Sequence, residues 1–180
     1  MTLLLEVRSI TKNFGPTHAL SEASFALKEG EIHALVGENG AGKSTLMKIL
    51  TGVHRKDDGQ VFLSGREVNP LSPLEARSLG ISTVFQELSL CNNLSVAENI
   101  FASRQPGSFG LINHRVLNSL TEKYLKEFNV AIRPETIVGD LHLAQKQIIE
   151  ILKAISLNAK VLILDEPTSS LERSHVTRLN

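Results

Sequence analysis

One cysteine, no net charge and no long apolar run are the first features of this chain, and each shortage excludes something. With Cys91 alone no internal disulfide can form, which fits a reducing compartment, and the thiol reads as a small, buried or half-buried hydrophobe. Nineteen Lys and Arg balance nineteen Asp and Glu, so no overall field favours nucleic acid or an anionic membrane. A membrane helix needs about eighteen or more consecutive apolar residues, and none is found here. The start, MTLLLEVRSI, has no basic region ahead of its leucines, as an export signal would. By its own sequence the chain reads as neither secreted nor membrane-spanning, although it can still dock on a membrane protein. Internal repeats, low-complexity tracts and a basic arm are absent too. What remains is 180 residues, 42% of them hydrophobic, enough for one domain with a real core.

LLLEVRSITKNF and ASFALKEG carry strand-like apolar stretches, with turn residues in GPTHALSE between them. EIHALVG reads as a short apolar strand entering a glycine loop, and STLMKILTGV after it puts Leu46, Ile49, Leu50 and Val53 on a helical stripe. GQVFLSGREV is expected as a hairpin turning at Ser64-Gly65, followed by a short helix over Pro73 to Leu79 and a strand at ISTVF. From Asn92 to about Asp140 the pattern turns helical, most clearly in SVAENIFAS and HRVLNSLTEKYLKEF. Leu141 to Leu157 sets Ala144, Ile148, Ile151, Leu152 and Ile155 on one helical face. VLIL at 161–164 is apolar on both faces, as a buried parallel strand requires.

GENGAGKST carries the chemistry. Gly37, Glu38, Asn39, Gly40, Ala41, Gly42, Lys43 and Ser44 match G-x-x-x-x-G-K-[ST] between an expected strand and an expected helix. From average composition, a chance match in a chain of this length is on the order of one per cent. Glycines let successive backbone N–H groups turn inward on a phosphate, and the helix N-terminus adds partial positive charge. Lys43 would reach the β- and γ-phosphates, the Ser44 hydroxyl would ligate Mg²⁺, and Thr45 adds a donor nearby. Such a loop needs an acid at the end of another strand, and VLILDEP supplies Asp165 for the metal. Glu166 beside it would orient or deprotonate the attacking water.

With GENGAGKST and LILDEPTSSL in one chain, the sequence resembles an ABC transporter ATP-binding cassette over essentially all of its length. The resemblance implies an α/β fold: a P-loop NTPase cassette with a mostly parallel core sheet, an N-terminal antiparallel β subdomain and a helical insertion. Residues 1–180 would form one nucleotide-binding domain, with about 1–86 and 158–180 as core and β subdomain and about 87–157 as helical subdomain. It implies ATP and Mg²⁺ as cofactors, Phe14 stacking on adenine, and Gln86 touching Mg²⁺ and the water while sensing the transmembrane partner. Catalysis would fall to Glu166, Gln86 and Lys43. NLSVAENIF, VFQELSL and DEPTSSL most resemble the first of two fused cassettes in monosaccharide importers of the ribose, galactose and xylose type. ATP hydrolysis would then drive uptake of a simple sugar at the cytoplasmic face of the cell membrane. The implied partners are membrane permease subunits, a sugar-binding protein outside the membrane and a second ABC cassette, with no nucleic acid.

Two departures from the pattern stand out. The family carries a switch histidine some thirty residues past the glutamate, and His175 is too close to be it, so the cassette reads as truncated. A non-catalytic ATP-binding remnant is therefore the competing expectation, with poor solubility from an exposed sheet edge. The segment that in the family closes a partner's nucleotide falls on Leu141, His142, Leu143, Ala144 and Gln145. His142 replaces a serine and Ala144 a glycine, and only Gln145 keeps its expected type. His142 reads either as a degenerate position at a helix start or as a donor to the partner's nucleotide, and not as a catalytic acid or base.

Overall fold

The computed structural model describes residues 2–84 and 88–164, and the chain divides into two compact units, Met1–Thr83 with Ala159–Ile163 and Val84–Asn158. The first begins with two long strands, β1 (Leu3–Phe14) and β2 (Thr17–Lys28), joined by a two-residue turn at Gly15-Pro16. Gly15 has φ 58°, the positive φ that two-residue hairpin turns with a leading glycine require. Strands β3 (Asp58–Leu63) and β4 (Arg66–Glu67) complete an antiparallel sheet in the order β2-β1-β3-β4. Leu5 pairs with Leu27 and Leu63, and Val7 with Phe25 and Val61, so alternate residues of β1 face the core while Glu6 and Arg8 face out. Burying each such side chain contributes about 1.5–3 kcal/mol. Gly59 lies so close to Arg8 and Ser9 that a Cβ would sit 2.5 Å from the Ser9 carbonyl oxygen, which fixes glycine there.

Several expectations hold residue by residue. The β3–β4 turn is Ser64-Gly65, both with positive φ, as a type I′ hairpin requires. Helix α2 (Pro73–Leu79) starts on the Ser72 side chain, which accepts from the Glu75 N–H, and stops at Gly80, whose φ of 97° suits only glycine comfortably. Helix α1 (Lys43–Leu50) buries Leu46, Ile49 and Leu50.

Others are corrected. Thr17–Lys28 is one continuous strand, so most of the stretch read as a turn is paired with β1. Helix α1 ends at Leu50 and leaves Val53 outside it, 44% exposed. Glu31–Gly37 forms no strand: the segment pairs with no other described strand, and Ile32 and Val36 are 65% and 91% exposed. A short apolar segment gains strand geometry only from neighbours, and β5 (Ile81–Val84) and β8 (Val161–Leu164) pair with each other instead. With β5 as its described partner, β8 buries Val161 and leaves the next three residues half-buried.

The second unit is helical. Helix α3 (Val96–Ile100) opens on a reciprocal cap between Ser95 and Glu98, and α4 (His114–Glu127) and α5 (Leu143–Ile155) pack on it. QPGSFG, between the two clearest helical stretches, contributes to a small hairpin, β6 (Gly107–Ser108) and β7 (Leu111–Ile112), turning at Phe109-Gly110. The core gathers Val96, Ile100, Leu117, Leu125, Val138, Ile149 and Leu152. Cys91 is exposed, not the buried or half-buried hydrophobe expected, and its backbone is held by Asn99, whose amide accepts from the Cys91 N–H at 2.8 Å and donates to its carbonyl at 3.0 Å.

Candidate functional site

The loop Gly37–Gly42 runs into the N-terminus of α1 in the first unit. Gly40 and Gly42 have φ 86° and 85°, so the chain turns twice through a region that side chains disfavour. Gly42 is fixed twice over, since a Cβ there would lie 2.5 Å from the Ala19 carbonyl oxygen and 2.6 Å from Leu20 Cδ2. The loop is thus seated on β2, and the Ala41 N–H donates to the Glu38 carbonyl at 3.1 Å, closing its middle.

Lys43 turns back into this loop. Its Nζ donates to the carbonyls of Gly37 at 2.6 Å and Glu38 at 2.9 Å, which spans the loop with a fixed positive charge. An ammonium has three hydrogens, so a donor remains for an anion. No side chain caps α1, and its first turn holds no acid. Unmet N–H groups, the helix dipole and the ammonium all favour an anion at one place. The arrangement fits the phosphate chain of a nucleotide. Ser44 is exposed at the helix start, where its hydroxyl is free to approach a metal carried with the phosphates.

Phe14 ends β1 in the same unit. Its ring is 44% exposed, meets His54 edge-on at 5.2 Å and lies 5.4 Å from Lys12 Nζ. Lys12 donates to Asp57 Oδ1 at 2.6 Å, and Asp57 Oδ2 accepts from the Asn13 N–H at 2.7 Å. The Lys12 hydrogen bond, with the Asn13 backbone bond second, holds the Asp57 carboxyl below the usual carboxylate range. The exposed part of the residue is open to a stacking partner. Strand β2 links the two features, since Thr17 pairs with Phe14 and Ala19 and Leu20 lie under Gly42.

The segment Leu141–Gln145 belongs to the second unit. A tight turn, Val138–Asp140, delivers a buried Leu141 to the start of α5, with His142 at the cap position. Gln145 Oε1 accepts from the His142 backbone N–H at 3.0 Å, so the residue of expected type also ends the helix properly. His142 and Leu143 are exposed, and Ala144 is half-buried. Gln86, Asp165, Glu166 and His175 lie outside the described residues. Among the described residues no cluster of His, Cys, Asp or Glu forms a metal site.

Sequence reasoning missed the polar groups around these features. His54 beside Phe14 had no signal, while Lys12, two positions before Phe14 on a strand and so on the same face, had one. Glu150 and Lys153 of α5, both bonded to Ser89, carry no such signal in the sequence.

A family model described as ABC transporter matches residues 20–169. The chain is 46% identical over 179 residues to a ribose import ATP-binding protein of Rubrobacter xylanophilus, covering 99% of this chain and 36% of that protein. It is 48% identical over 177 residues to a ribose import ATP-binding protein of Streptomyces avermitilis, covering 98% of this chain and 35% of that one. A putative ribose/galactose/methyl galactoside import ATP-binding protein of Albidiferax ferrireducens is 45% identical, with 99% and 36% covered. The chain thus spans about a third of the length of these curated relatives. Among solved structures, an ATP-binding cassette of an ABC transporter in its ADP conformation superposes with a TM-score of 0.81 at 25% identity, covering 99% of this chain and 74% of that one. A Clostridium perfringens protein described as part of an ABC transporter complex gives 0.79 at 26% identity, with 99% and 71% covered.

Proposed function

The chain belongs to the ABC transporter family, and from that premise we propose that it is the ATP-binding, ATP-hydrolysing part of an importer of simple sugars. The observation that carries the reading is Lys43 folded into a glycine loop at an uncapped helix start. The loop N–H groups and Lys43 bind and orient the phosphates, and Phe14 offers its open face to the base. Ser44 and Asp165 would hold Mg²⁺, which when bound offsets charge on the β- and γ-phosphate oxygens. Glu166 takes a proton from the attacking water, and Gln86 orients that water and senses the membrane partner. Leu141–Gln145 would act on the nucleotide of a second cassette, not on this chain's own.

The sugar rests on the relatives, whose names specify import of ribose, galactose or methyl galactoside. On this reading the partners are permease subunits, a second cassette and, indirectly, an external sugar-binding protein. The protein then works as a peripheral subunit on the cytoplasmic side of the membrane, with residues 87–157 as its helical subdomain. No helix among the described residues is long and apolar enough to cross a membrane.

The test is displacement of a fluorescent MgATP analogue from the purified chain. ATP should compete and free ribose should not, and Lys43→Ala should weaken binding at least tenfold. Absence of binding at millimolar analogue, or displacement by ribose alone, would refute the assignment.

A further inference from the structure

The small hairpin β6–β7 holds the most exposed large apolar side chain among the described residues, and holds it at a strained position. Every residue from Gly107 to Val116 is exposed. Phe109 is wholly open to solvent, Leu111 is 77% exposed, and Ile112 and Val116 are exposed after them. Phe109 has φ 51° and Gly110 φ 79°, so an aromatic residue stands at the first corner of a type I′ turn, where asparagine, aspartate or glycine is the ordinary choice. The hairpin itself is firm. The Asn113 N–H donates to the Pro106 carbonyl at 2.7 Å, and a Cβ on Gly107 would collide with the Leu111 carbonyl oxygen. Phe109 thus strains the backbone and returns no packing to the fold, so its use lies outside the folded chain.

Charge near the tip has one sign. No Asp or Glu occurs between Glu98 and Glu122, whereas Arg104, His114 and Arg115 do. Glu98 is taken by the Ser95 cap, with His114 as a lesser charge partner, and Glu122 pairs with Lys126 at 3.1 Å. Arg104 folds onto Ser156 and the Ile100 carbonyl. Arg115 is exposed in the first turn of α4, a turn without an acid. In a chain with no net charge this is a local excess. An aromatic and aliphatic tip with a cation behind it suits the boundary between anionic headgroups and acyl chains. A shaped protein surface fits less well, because four partly exposed side chains fall short of the roughly 800 Å² a side that a stable protein interface buries.

We propose that the β6–β7 hairpin is a membrane-contact tip: Phe109 and Leu111 enter the headgroup boundary of an anionic leaflet, and Arg115 pairs with its phosphate groups. The contact takes from the proposed function only that the protein works at a membrane face, and it does not involve the nucleotide. One small tip binds weakly alone. It gains by adding to the attachment that permease subunits provide, since the second contact is then made within one assembly.

Flotation of the purified 180-residue chain with protein-free vesicles tests this, because bound protein rises while aggregates sink. The parent should float with phosphatidylglycerol vesicles and bind phosphatidylcholine vesicles about fivefold less tightly. Phe109→Asn supplies the residue the turn prefers, so the melting temperature should be equal or higher while vesicle affinity falls about tenfold or more. Arg115→Ala should lose about fivefold on phosphatidylglycerol and little on phosphatidylcholine. The chain has no tryptophan, so Phe109→Trp gives a sole reporter whose emission should shift to the blue when vesicles are added. No flotation of the parent, equal flotation of Phe109→Asn, or an unshifted tryptophan emission would overturn the membrane tip and leave a protein partner as its occupant. MgATP affinity without vesicles should match between Phe109→Asn and the parent. Failure of the parent to bind MgATP would count against the proposed function alone, and flotation would still decide the tip.

Discussion

Two helix starts in this molecule are built on opposite plans. At α1 the chain arrives through glycines with positive φ, no side chain caps the helix, and the Lys43 ammonium folds back on the loop. At α5 the chain arrives through a tight turn fastened by backbone bonds to residues 92 and 94, and Gln145 caps the His142 N–H. Orphan N–H groups cost free energy unless something meets them. The first start leaves them for a ligand, whereas the second has its cap N–H, that of His142, met within the chain. A helix start that remains unmet beside a buried-in lysine is a site, whereas a satisfied one is a rigid surface to be presented to something else.

Substitutions sharpen that contrast, and the largest effect is expected at Gly42. Gly42→Ala must place a methyl 2.5 Å from the Ala19 carbonyl in a backbone conformation alanine resists. A loss of about 3 kcal/mol or more is expected in a denaturant titration. Lys43→Ala should weaken MgATP binding by about 10- to 100-fold, as losing charge-assisted hydrogen bonds implies, with denaturation little changed. A comparable loss of stability instead would mean that Lys43 is a structural brace. Gln145→Ala should cost about 1 kcal/mol by uncapping α5 and leave the chain's own MgATP affinity as it was. Reduced affinity there would erase the distinction between the two starts.

The smallest effect concerns pH. Glu98 accepts from the Ser95 hydroxyl and backbone N–H in the α3 cap, the hydroxyl contributing most, and its carboxyl is held below the ordinary value. A carboxyl depressed on folding contributes stability above its unfolded pKa and loses it as pH falls through the folded value. Glu98→Gln should therefore lower stability slightly at neutrality and flatten the acid side of the profile below about pH 4.5, where the two proteins converge.

Legibility in the sequence followed how local the determining chemistry is. Helix α2 was readable to the residue because Ser72, Pro73, Glu75 and Gly80 are its own start and stop signals. The Ser64-Gly65 hairpin and the phosphate loop were readable for the same reason, since glycine at a positive φ announces itself. Glu31–Gly37 was misread because apolar content says what wants burial, not whether a neighbouring strand is there to pair with it. The small hairpin at Phe109-Gly110 hid inside a glycine and proline stretch whose turn signal outweighed two-residue strands. The Ser89–Glu150 contact joins residues 61 positions apart, and no periodicity of α5 marks a buried acid among isoleucines. Phe14 was placed by resemblance, yet the aspartate that holds Lys12 and the histidine beside the ring become visible only once β1 and β3 are side by side.

The most direct test of the central claim, that the α1 start is an unmet phosphate site, is the melting temperature of the purified chain as MgATP is raised into the millimolar range. Binding to the folded state alone must raise it with the logarithm of one plus the ligand concentration over Kd. The account predicts a progressive rise for the parent and for Gln145→Ala, and a much smaller one for Lys43→Ala. No rise in the parent, or the same rise in Lys43→Ala, would contradict it.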